Sequence, residues 1–174
     1  MIKQREVAIL GGTGFVGMEL FRLLQNHPFF RVTFISSESM SGKSIINQHT
    51  LDRKMKYQSI DSLKNDYDAI FSCLPSGVLP NYINKLLNKS EVIFNVSGDY
   101  RLNDKTLSNR YYPATEWENL NSKVQYYIPE FTKIDRDKKI INLGGCMAVS
   151  SIYSLYPLIK HNLIENNNII LDVK

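Results

Sequence analysis

A glycine-rich turn, residues 11–17, restricts the fold of this chain more than any other feature of its sequence. The apolar run at residues 7–10 before it is typical of a buried strand, and residues 18–24 after it have apolar positions spaced for one face of a helix. Glycines in this position allow a sharp turn and close packing of the helix on the strand. The sequence therefore predicts a strand–turn–helix unit at the start of the chain.

This turn is suited to the phosphates of a dinucleotide. Glycines let the backbone approach a pyrophosphate closely, and the N-terminus of the following helix offers free N–H groups and a partial positive charge. The alternative is a tight strand–helix turn without a ligand. Because the strand and the helix both accompany the glycines, we expect dinucleotide binding.

Strands and helices alternate through most of the chain. The patterns predict strands at residues 5–10, 32–35, 68–74, 91–96 and 138–143 and helices at residues 15–26, 81–88 and 147–163. Alternation of this kind predicts a doubly wound, mostly parallel α/β sheet, that is, a Rossmann-type dinucleotide-binding domain. In the last helix we expect Ile152, Leu155, Tyr156 and Ile159 to face inward and Pro157 to kink or split the helix.

Three segments depart from this alternation. Residues 44–66 are polar and irregular, and predict only a short strand near 55–60 and a weak helix near 61–65. Residues 103–137 are rich in tyrosine and predict an excursion over the sheet rather than another strand–helix unit. The apolar run at residues 169–174 predicts a final strand.

The loop after the second strand decides which dinucleotide is expected. In a doubly wound fold this loop lies beside the adenosine ribose, and NAD enzymes usually place an acid there. Here the strand ends in Ser36 and Ser37, with Lys43 nearby, a combination that suits the 2′-phosphate of NADP. Glu38 argues for NAD instead. The pattern favours NADP without excluding NAD.

Cys146 is the candidate nucleophile. It follows Gly144 and Gly145 at the predicted start of a helix, where the helix dipole favours the thiolate and backbone N–H groups can hold an oxyanion. A buried structural cysteine is the alternative, and Cys73, inside an apolar strand, fits that description better. A thiolate beside a nicotinamide predicts attack on an activated acyl group, followed by reduction of the thioester to an aldehyde.

Such a reaction also needs an anion-binding group and a base. Arg101 suits the oxyanions of a phosphate because a guanidinium binds two oxygens at once, although a structural ion pair with Asp99 would be the alternative role. The three histidines are His27, His49 and His161, and none is well placed for proton transfer. We therefore expect the base to lie outside this chain.

Composition restricts the class of protein. A hydrophobic content of 43%, a charged content of 22% and no run long enough for a membrane span are typical of a soluble globular protein. Two cysteines without ligand spacing predict neither a disulfide framework nor a metal site, and indicate the cytoplasm. The net charge of +4 favours anionic partners, but its scattered basic residues do not predict nucleic-acid binding.

These motifs together resemble the semialdehyde dehydrogenase superfamily, beginning with residues 7–17 and the His27–Pro28 pair. Within it, residues 95–102 and 127–131 are similar to N-acetyl-gamma-glutamyl-phosphate reductases. Residues 145–149 and 156–158 look most like the archaeal branch, whose members reduce aminoadipyl or glutamyl phosphates held on an amino-group carrier protein. The resemblance covers nearly the whole chain.

The resemblance implies a role for each matching residue. Phosphates of NADP would be bound by the turn residues Gly11, Thr13, Gly14, Phe15, Val16 and Gly17. Ser36 and Ser37 would lie on the adenosine side, and Ser76 and Gly77 near the nicotinamide. Cys146 would be the acyl-thioester nucleophile, and Arg101 would hold the substrate phosphate.

The sequence departs from the family pattern at two positions. Glu38 stands where these reductases usually have a basic residue, and Gly144 replaces the usual proline two residues before the cysteine. The family is about twice as long as this chain. We therefore expect an NAD(P)-binding domain at residues 1–150, the start of a second domain at 151–174, and a homo-oligomer for the full-length form.

Two other functions remain open. Aspartate-semialdehyde dehydrogenase performs the same chemistry on aspartyl phosphate, and residues 99–101 and 127–131 argue against it. The second is a non-catalytic dinucleotide-binding module that senses redox state. Cys146 after two glycines argues against it, because a sensor needs no nucleophile there.

Overall fold

A computed structural model describes residues 3–47, 50–113, 115, 120–165 and 168–173. Its strands are β1 (Arg5–Leu10), β2 (Phe30–Ile35), β3 (Ser44–Asn47), β4 (Thr50–Lys56), β5 (Tyr67–Ser72), β6 (Ser90–Asn95), β7 (Val124–Tyr127) and β8 (Ile140–Leu143). Its α-helices are α1 (Phe15–Leu24), α2 (Ile83–Leu87), α3 (Lys105–Tyr111) and α4 (Cys146–Lys160).

The central sheet has six strands in the order β2-β1-β5-β6-β8-β7, and all of its pairings are parallel. The chain moves outward from β1 to β2 and then crosses to β5 on the other side of β1. The strand order therefore reverses at β1, and the crevice beyond the carboxyl ends of β1 and β5 is where such folds bind ligands. The predicted parallel α/β sheet is confirmed.

Helices cover both faces of this sheet. Alternate residues of β1 point to opposite faces, and all four residues from Val7 to Leu10 are fully buried. Val7 and Ile9 pack with Phe21 and Leu24 of α1, whereas Ala8 and Leu10 belong to the cluster that includes Ile83 and Leu86 of α2. A strand buried on both faces reads as a continuous apolar run, which is why β1 was predictable.

The prediction of one short strand and a weak helix for residues 44–66 is wrong. Strands β3 and β4 form an antiparallel hairpin, followed by a 3₁₀ turn at Ile60–Ser62 in place of the expected helix. Ile45 and Tyr57 anchor this region to the α1 side of the core. The polar residues of this segment gave no signal for the pairing of β3 with β4.

The prediction for residues 103–137 is also wrong in part. The segment contains α3 and then returns to the sheet, where β7 pairs with β8 as a parallel edge strand. Valine and tyrosine, which are common in strands, make up three of the four residues of β7, so the sequence contained the signal.

The C-terminal part of the described chain is exposed. Helix α4 is continuous through Pro157, so the proline does not split it, and none of its residues is buried. Tyr156 and Ile159, predicted to face inward, are 43% and 39% exposed, whereas Ile152 and Leu155 are half-buried. Residues 168–173 form no strand, because they have no ladder with a neighbouring strand, and Ile170 is 93% exposed.

Two further results concern predictions about the chain as a whole. The domain boundary predicted after residue 150 falls inside α4 and stays a prediction. Within the described ranges, no helix is long and apolar enough to cross a membrane. In the same ranges, no group of three or more histidine, cysteine, aspartate or glutamate side chains is arranged to hold a metal ion.

Candidate active site at the carboxyl edge of the sheet

The glycine turn between β1 and α1 is shaped by close backbone contacts. Gly11 has a φ of +77°, and a Cβ there would lie 2.5 Å from the carbonyl oxygen of Cys73. A Cβ on Gly17 would lie 2.3 Å from the carbonyl oxygen of Gly11, and one on Gly12 would lie 2.2 Å from the side chain of Ile35. These glycines are required by the turn itself, which brings the N-terminus of α1 against the sheet.

The N-terminus of α1 is open to a ligand. Its N-cap is Gly14, which supplies no side-chain cap, and the first turn contains no acidic residue. Thr13 is exposed, and the exposed fractions of Phe15 and Val16 are 89% and 47%. Because the first N–H groups of a helix have no acceptor within the helix, this end fits the pyrophosphate of a dinucleotide.

Ser36 and Ser37 lie directly beneath this turn. Ser36 is almost fully buried, and its hydroxyl accepts a hydrogen bond from the N–H of Gly11 at 3.2 Å. Its carbonyl accepts the N–H of Gly12 at 2.7 Å. Ser37 is also buried, and its hydroxyl lies 3.1 Å from that of Thr13. In the described chain both serines therefore support the turn.

The carboxylate of Glu38 is engaged away from the turn. It accepts hydrogen bonds from the hydroxyl of Ser59 and the N–H of Ile60, both at 2.8 Å. An acid already satisfied at the start of this 3₁₀ turn is less available to the 2′-hydroxyl of a ribose. Lys43, five residues after Glu38, is exposed.

The loops after β5 and β6 are joined by hydrogen bonds. The N–H of Gly77 donates to both carboxylate oxygens of Asp99 at 2.9 Å, and the N–H of Gly98 donates to the hydroxyl of Ser76 at 3.0 Å. Asp99 is fully buried and also accepts the hydroxyl of Thr115 at 3.1 Å. Ser76 and Gly77 thus lie next to the loop that carries Arg101.

Arg101 reaches the turn before α4. Its Nη2 donates to the carbonyl of Val96 at 2.7 Å, and its Nη1 lies 2.9 Å from the position that a Cβ on Gly145 would occupy. Its Nε is buried and has no hydrogen-bond partner among the described residues. The carboxylate of Asp99 binds Gly77 and Thr115, so the alternative of an Asp99–Arg101 pair is not the arrangement seen. The guanidinium therefore has donor capacity left beside Cys146.

Cys146 is the first residue of α4 and is exposed. The N-cap is Gly145, no side chain caps the helix, and the first turn contains no acidic residue. The thiol therefore stands at a helix N-terminus with an arginine beside it, and both place positive potential next to the sulfur. Burial in the apolar sheet instead raises the pKa of Cys73 to about 12, which fits the structural role predicted for it.

Comparison with known proteins decides the family. Residues 6–138 match the NAD-binding domain of semialdehyde dehydrogenases. The chain belongs to this family. The resemblance seen in the sequence is thereby confirmed at the level of the semialdehyde dehydrogenases.

Individual relatives extend this result. The chain is 49% identical over 180 residues to N-acetyl-gamma-glutamyl-phosphate reductase 1 of Lactiplantibacillus plantarum, an alignment that covers 97% of the chain and 52% of the relative. It is 32% identical over 176 residues to N-acetyl-gamma-glutamyl-phosphate reductase of Methanocaldococcus jannaschii, covering 98% of the chain and 51% of that relative. The chain therefore spans about half the length of the curated relatives it matches.

A solved structure shows the same fold. Aspartate semialdehyde dehydrogenase with NADP from Candida albicans superposes with a TM-score of 0.63 at 18% identity, covering 91% of the chain and 48% of that structure. At this identity the likeness concerns the fold alone. It supports the semialdehyde dehydrogenase sheet described above.

The segment that carried part of the family resemblance, residues 127–131, packs on α4. The centroid of the Phe131 ring lies 4.4 Å from the ring centroid of Tyr156 and 5.6 Å from that of Tyr153. Tyr153 donates its hydroxyl to Glu130, and this hydrogen bond raises the pKa of Tyr153. The motif thus supports the helix that begins at the family's candidate nucleophile.

The sequence analysis did not identify Tyr126, which lies beside the turn before Cys146. The hydroxyl of Tyr126 lies 2.9 Å from the position that a Cβ on Gly144 would occupy. Gly144 also has Val149 against it, 2.4 Å from that position, so the residue that replaces the usual proline is closely packed. Tyr126 is the third residue of the short edge strand β7, where it pairs with Asn142, and only the pairing of β7 with β8 brings it here.

The described histidines are far from Cys146. His161 follows the last residue of α4, so about 22 Å of helix separates it from the thiol. The Nδ1 of His27 accepts the N–H groups of Phe29 and Phe30, ahead of β2 at the opposite edge of the sheet. His49 lies outside the described residues. Within the described part of the chain, no histidine is placed as a base for this semialdehyde dehydrogenase site.

Proposed function

We propose that this chain is the NADP-binding, nucleophile-bearing part of an N-acetyl-gamma-glutamyl-phosphate reductase, which reduces an acyl phosphate to a semialdehyde in arginine biosynthesis in the cytoplasm. One observation carries the proposal: Arg101 lies against Gly145, with a buried and unpartnered Nε, beside the exposed thiol at the start of α4. A phosphate-binding cation next to a nucleophile is what thiolate attack on an acyl phosphate requires. The 49% identical reductase has the matching name.

The residues of the site divide this chemistry between them. The thiolate of Cys146 attacks the acyl carbon, the carbon–oxygen bond to phosphate breaks, and phosphate leaves with the electron pair. Arg101 holds the phosphate through its free N–H groups, and the N-terminus of α4 stabilises the oxyanion that develops on the acyl oxygen. When bound, the nicotinamide supplies the hydride that reduces the resulting thioester. The bond between carbon and the sulfur of Cys146 then breaks, which releases the aldehyde and leaves the sulfur of Cys146 with the electron pair.

The geometry of the first turn supports NADP as the cofactor. Gly11, Gly14 and Gly17 form the cradle at the start of α1, and Thr13, Phe15 and Val16 line its open side. Because Glu38 is engaged by Ser59 and Ile60, the acid that argued for NAD competes less strongly for a ribose. Lys43, which is exposed six residues after Ser37, is then the proposed cation for a 2′-phosphate.

The acyl group is proposed to be N-acetylglutamyl. Both relatives described above are named for that substrate, whereas the likeness to an aspartate semialdehyde dehydrogenase concerns the fold alone. Glutamyl or aminoadipyl phosphate on an acidic carrier protein, as in lysine biosynthesis, is the alternative that the net charge of +4 would favour. A non-catalytic module is disfavoured by the exposed thiol at the helix start. Homo-oligomers of the full-length form remain part of this proposal.

Mass spectrometry of the acyl-enzyme tests the proposal. The chain is mixed with N-acetyl-gamma-glutamyl phosphate, quenched in acid and digested, and the thioester is sought on Cys146. We expect acylation of Cys146 that is lost in Cys146→Ser, unchanged in Cys73→Ser and slowed in Arg101→Gln. If aspartyl phosphate or a carrier-linked acyl phosphate acylated Cys146 faster, that compound would replace N-acetyl-gamma-glutamyl phosphate as the proposed substrate. Acylation no faster than that of the unfolded chain would contradict the proposal.

A further inference from the structure

Two fully buried asparagines bridge the strands that lead to Arg101 and Cys146. Asn95 ends β6, Asn142 lies in β8, and the two residues face each other in the parallel register. The Nδ2 of Asn95 donates to the Oδ1 of Asn142 at 2.9 Å. The two preceding pairs in this register are apolar: Phe94 with Ile141, and Ile93 with Ile140.

The remaining amide groups of this pair hold the loop after β6. The Oδ1 of Asn95 accepts the N–H of Ser97 at 3.1 Å, and its Nδ2 donates to the carbonyl of Asp99 at 2.6 Å. The Nδ2 of Asn142 donates to the carbonyl of Tyr100. Tyr100 is 1% exposed and has a φ of 60°, a left-handed conformation that costs free energy in a residue other than glycine. The two amides therefore bind the loop where its backbone is least favourable.

The left-handed residue stands immediately before Arg101. It sets the direction in which the arginine leaves the loop, and the guanidinium ends beside Gly145. Asn142 belongs to the strand that runs into Gly145 and Cys146. One side chain thus fixes the Arg101 loop to the strand that carries the nucleophile.

We propose that Asn142, with Asn95, is a positioning residue that holds Arg101 against the N-terminus of α4 and so keeps the anion site beside Cys146. That the anion is the phosphate of the substrate rests on the proposed function, whereas the placement of Arg101 does not. If the two asparagines only joined the strands, their amide groups would hydrogen-bond only to each other and to the strand backbones. Here they also hydrogen-bond to the backbone of the loop after β6. A buried network in which each polar group has a partner specifies one geometry.

The charge preference of Cys146 towards alkylating reagents tests this placement without substrate or turnover. Iodoacetate is an anion and iodoacetamide is neutral. The rate of alkylation of Cys146 by iodoacetate, divided by its rate with iodoacetamide, therefore reports the positive field of Arg101. The intrinsic reactivity of the thiol affects both rates equally and cancels in this ratio. A unit charge about 6 Å away in a watery site changes such a ratio about threefold. We expect Arg101→Gln to lower the ratio by that factor and Asn142→Ala to lower it similarly. The double variant should show no further fall.

Matched variants separate positioning from stability. Ile45→Ala removes a fully buried side chain from the cluster on the α1 side of the sheet, which does not include Tyr100, and should lower the melting temperature while leaving the ratio unchanged. Asn142→Ser, which keeps a polar group, serves where Asn142→Ala does not fold. A wild-type ratio in the folded Asn142 variants would overturn the proposal, and so would a ratio that Arg101→Gln leaves unchanged. The ratio could fall as expected in the Arg101 and Asn142 variants although N-acetyl-gamma-glutamyl phosphate does not acylate the chain. That result would contradict the proposed function and leave this inference standing.

Discussion

The chain begins two helices in the same way and uses them differently. The N-caps of α1 and α4 are Gly14 and Gly145, with φ and ψ of −69° and 159° in the first and −68° and 148° in the second. Neither helix has a side-chain cap or an acidic residue in its first turn. Both N-termini therefore present free N–H groups and positive potential at the same edge of the sheet.

What lies behind each N-terminus differs. Helix α1 buries Gly17, Phe21 and Leu24 against the sheet, whereas α4 buries none of its residues and begins with the thiol of Cys146. The first arrangement is a closely packed turn, held by the glycine contacts, with an open helix end. The second is an exposed thiol on a helix that has no buried residue. On the proposed function, the first is a complete binding element and the second is one half of a catalytic site.

Thiol chemistry should show the largest effect. A pKa of about 12 in place of the usual 9.0 lowers the thiolate fraction of Cys73 about a thousandfold at pH 7. We expect iodoacetamide to label Cys73 about a thousandfold more slowly than an ordinary exposed thiol, and therefore to label Cys146 first. Below its pKa the thiolate of Cys73 grows tenfold for each pH unit, so labelling of Cys73 should rise steadily towards pH 12. Peptide mass spectrometry reads both sites, and preferential labelling of Cys73 at pH 7 would reverse the assignment of the nucleophile.

Alanine at the glycines of the two turns should have the next largest effect. In Gly17→Ala the new Cβ would meet the backbone of Gly11 at 2.3 Å, and we expect a loss of about 3 kcal/mol in the free energy of unfolding, together with loss of NADPH binding. Gly14→Ala, whose Cβ would have only a 3.4 Å contact, is the control in the same turn. In Gly145→Ala the contact is with the flexible end of Arg101, so the loss should stay below about 1 kcal/mol.

Urea unfolding of the three alanine variants measures these differences. Equal losses for Gly17→Ala and Gly14→Ala would mean that the turn is not as closely packed as the contacts around Gly11 require.

Cofactor preference should show the smallest effect. We expect NADPH to bind more tightly than NADH, and Lys43→Gln to weaken NADPH binding about two- to fivefold, the range for an exposed charge pair. Ser59→Ala, which removes one partner of Glu38, should move the preference towards NADH. Fluorescence titration with both nucleotides measures these affinities. Equal affinity, or a preference for NADH in the unaltered chain, would make Glu38 the deciding residue.

The parts of the fold that could be predicted from the sequence are those with local causes. The glycine turn and the apolar strand β1 are specified by neighbouring residues, and the turn before Cys146 repeats the same logic. The edge strand β7 depends on pairing with β8, which is distant in the sequence, and the polar residues of the β3–β4 hairpin gave no signal for its pairing. For residues 168–173, an apolar pattern without a strand to pair with was not enough.

The candidate site divides in the same way. Arg101 and Cys146 were identified from residue type and position, but the sequence could not show that the guanidinium lies against Gly145. Nor could it show that Ser36 binds the backbone of the turn. Asn95 and Asn142 left a signal that was not used, since each is an amide near the end of an apolar strand. An amide in such a position indicates a specific partner, because burying it without one is costly.

Turnover by residues 1–174 tests the central claim of the proposal, that the chain contains the cofactor cradle and the nucleophile but no base placed among its described residues. A positioned base typically contributes about 10²–10⁴-fold to the rate, and the described histidines lie far from Cys146. We predict that the chain binds NADPH but shows no measurable oxidation of NADPH with N-acetyl-gamma-glutamyl phosphate, followed by absorbance. The same residues joined to the remaining half of the Lactiplantibacillus plantarum reductase should turn over, and Cys146→Ser should abolish that activity. Full turnover by residues 1–174 alone would contradict the claim and make His161 the first residue to replace.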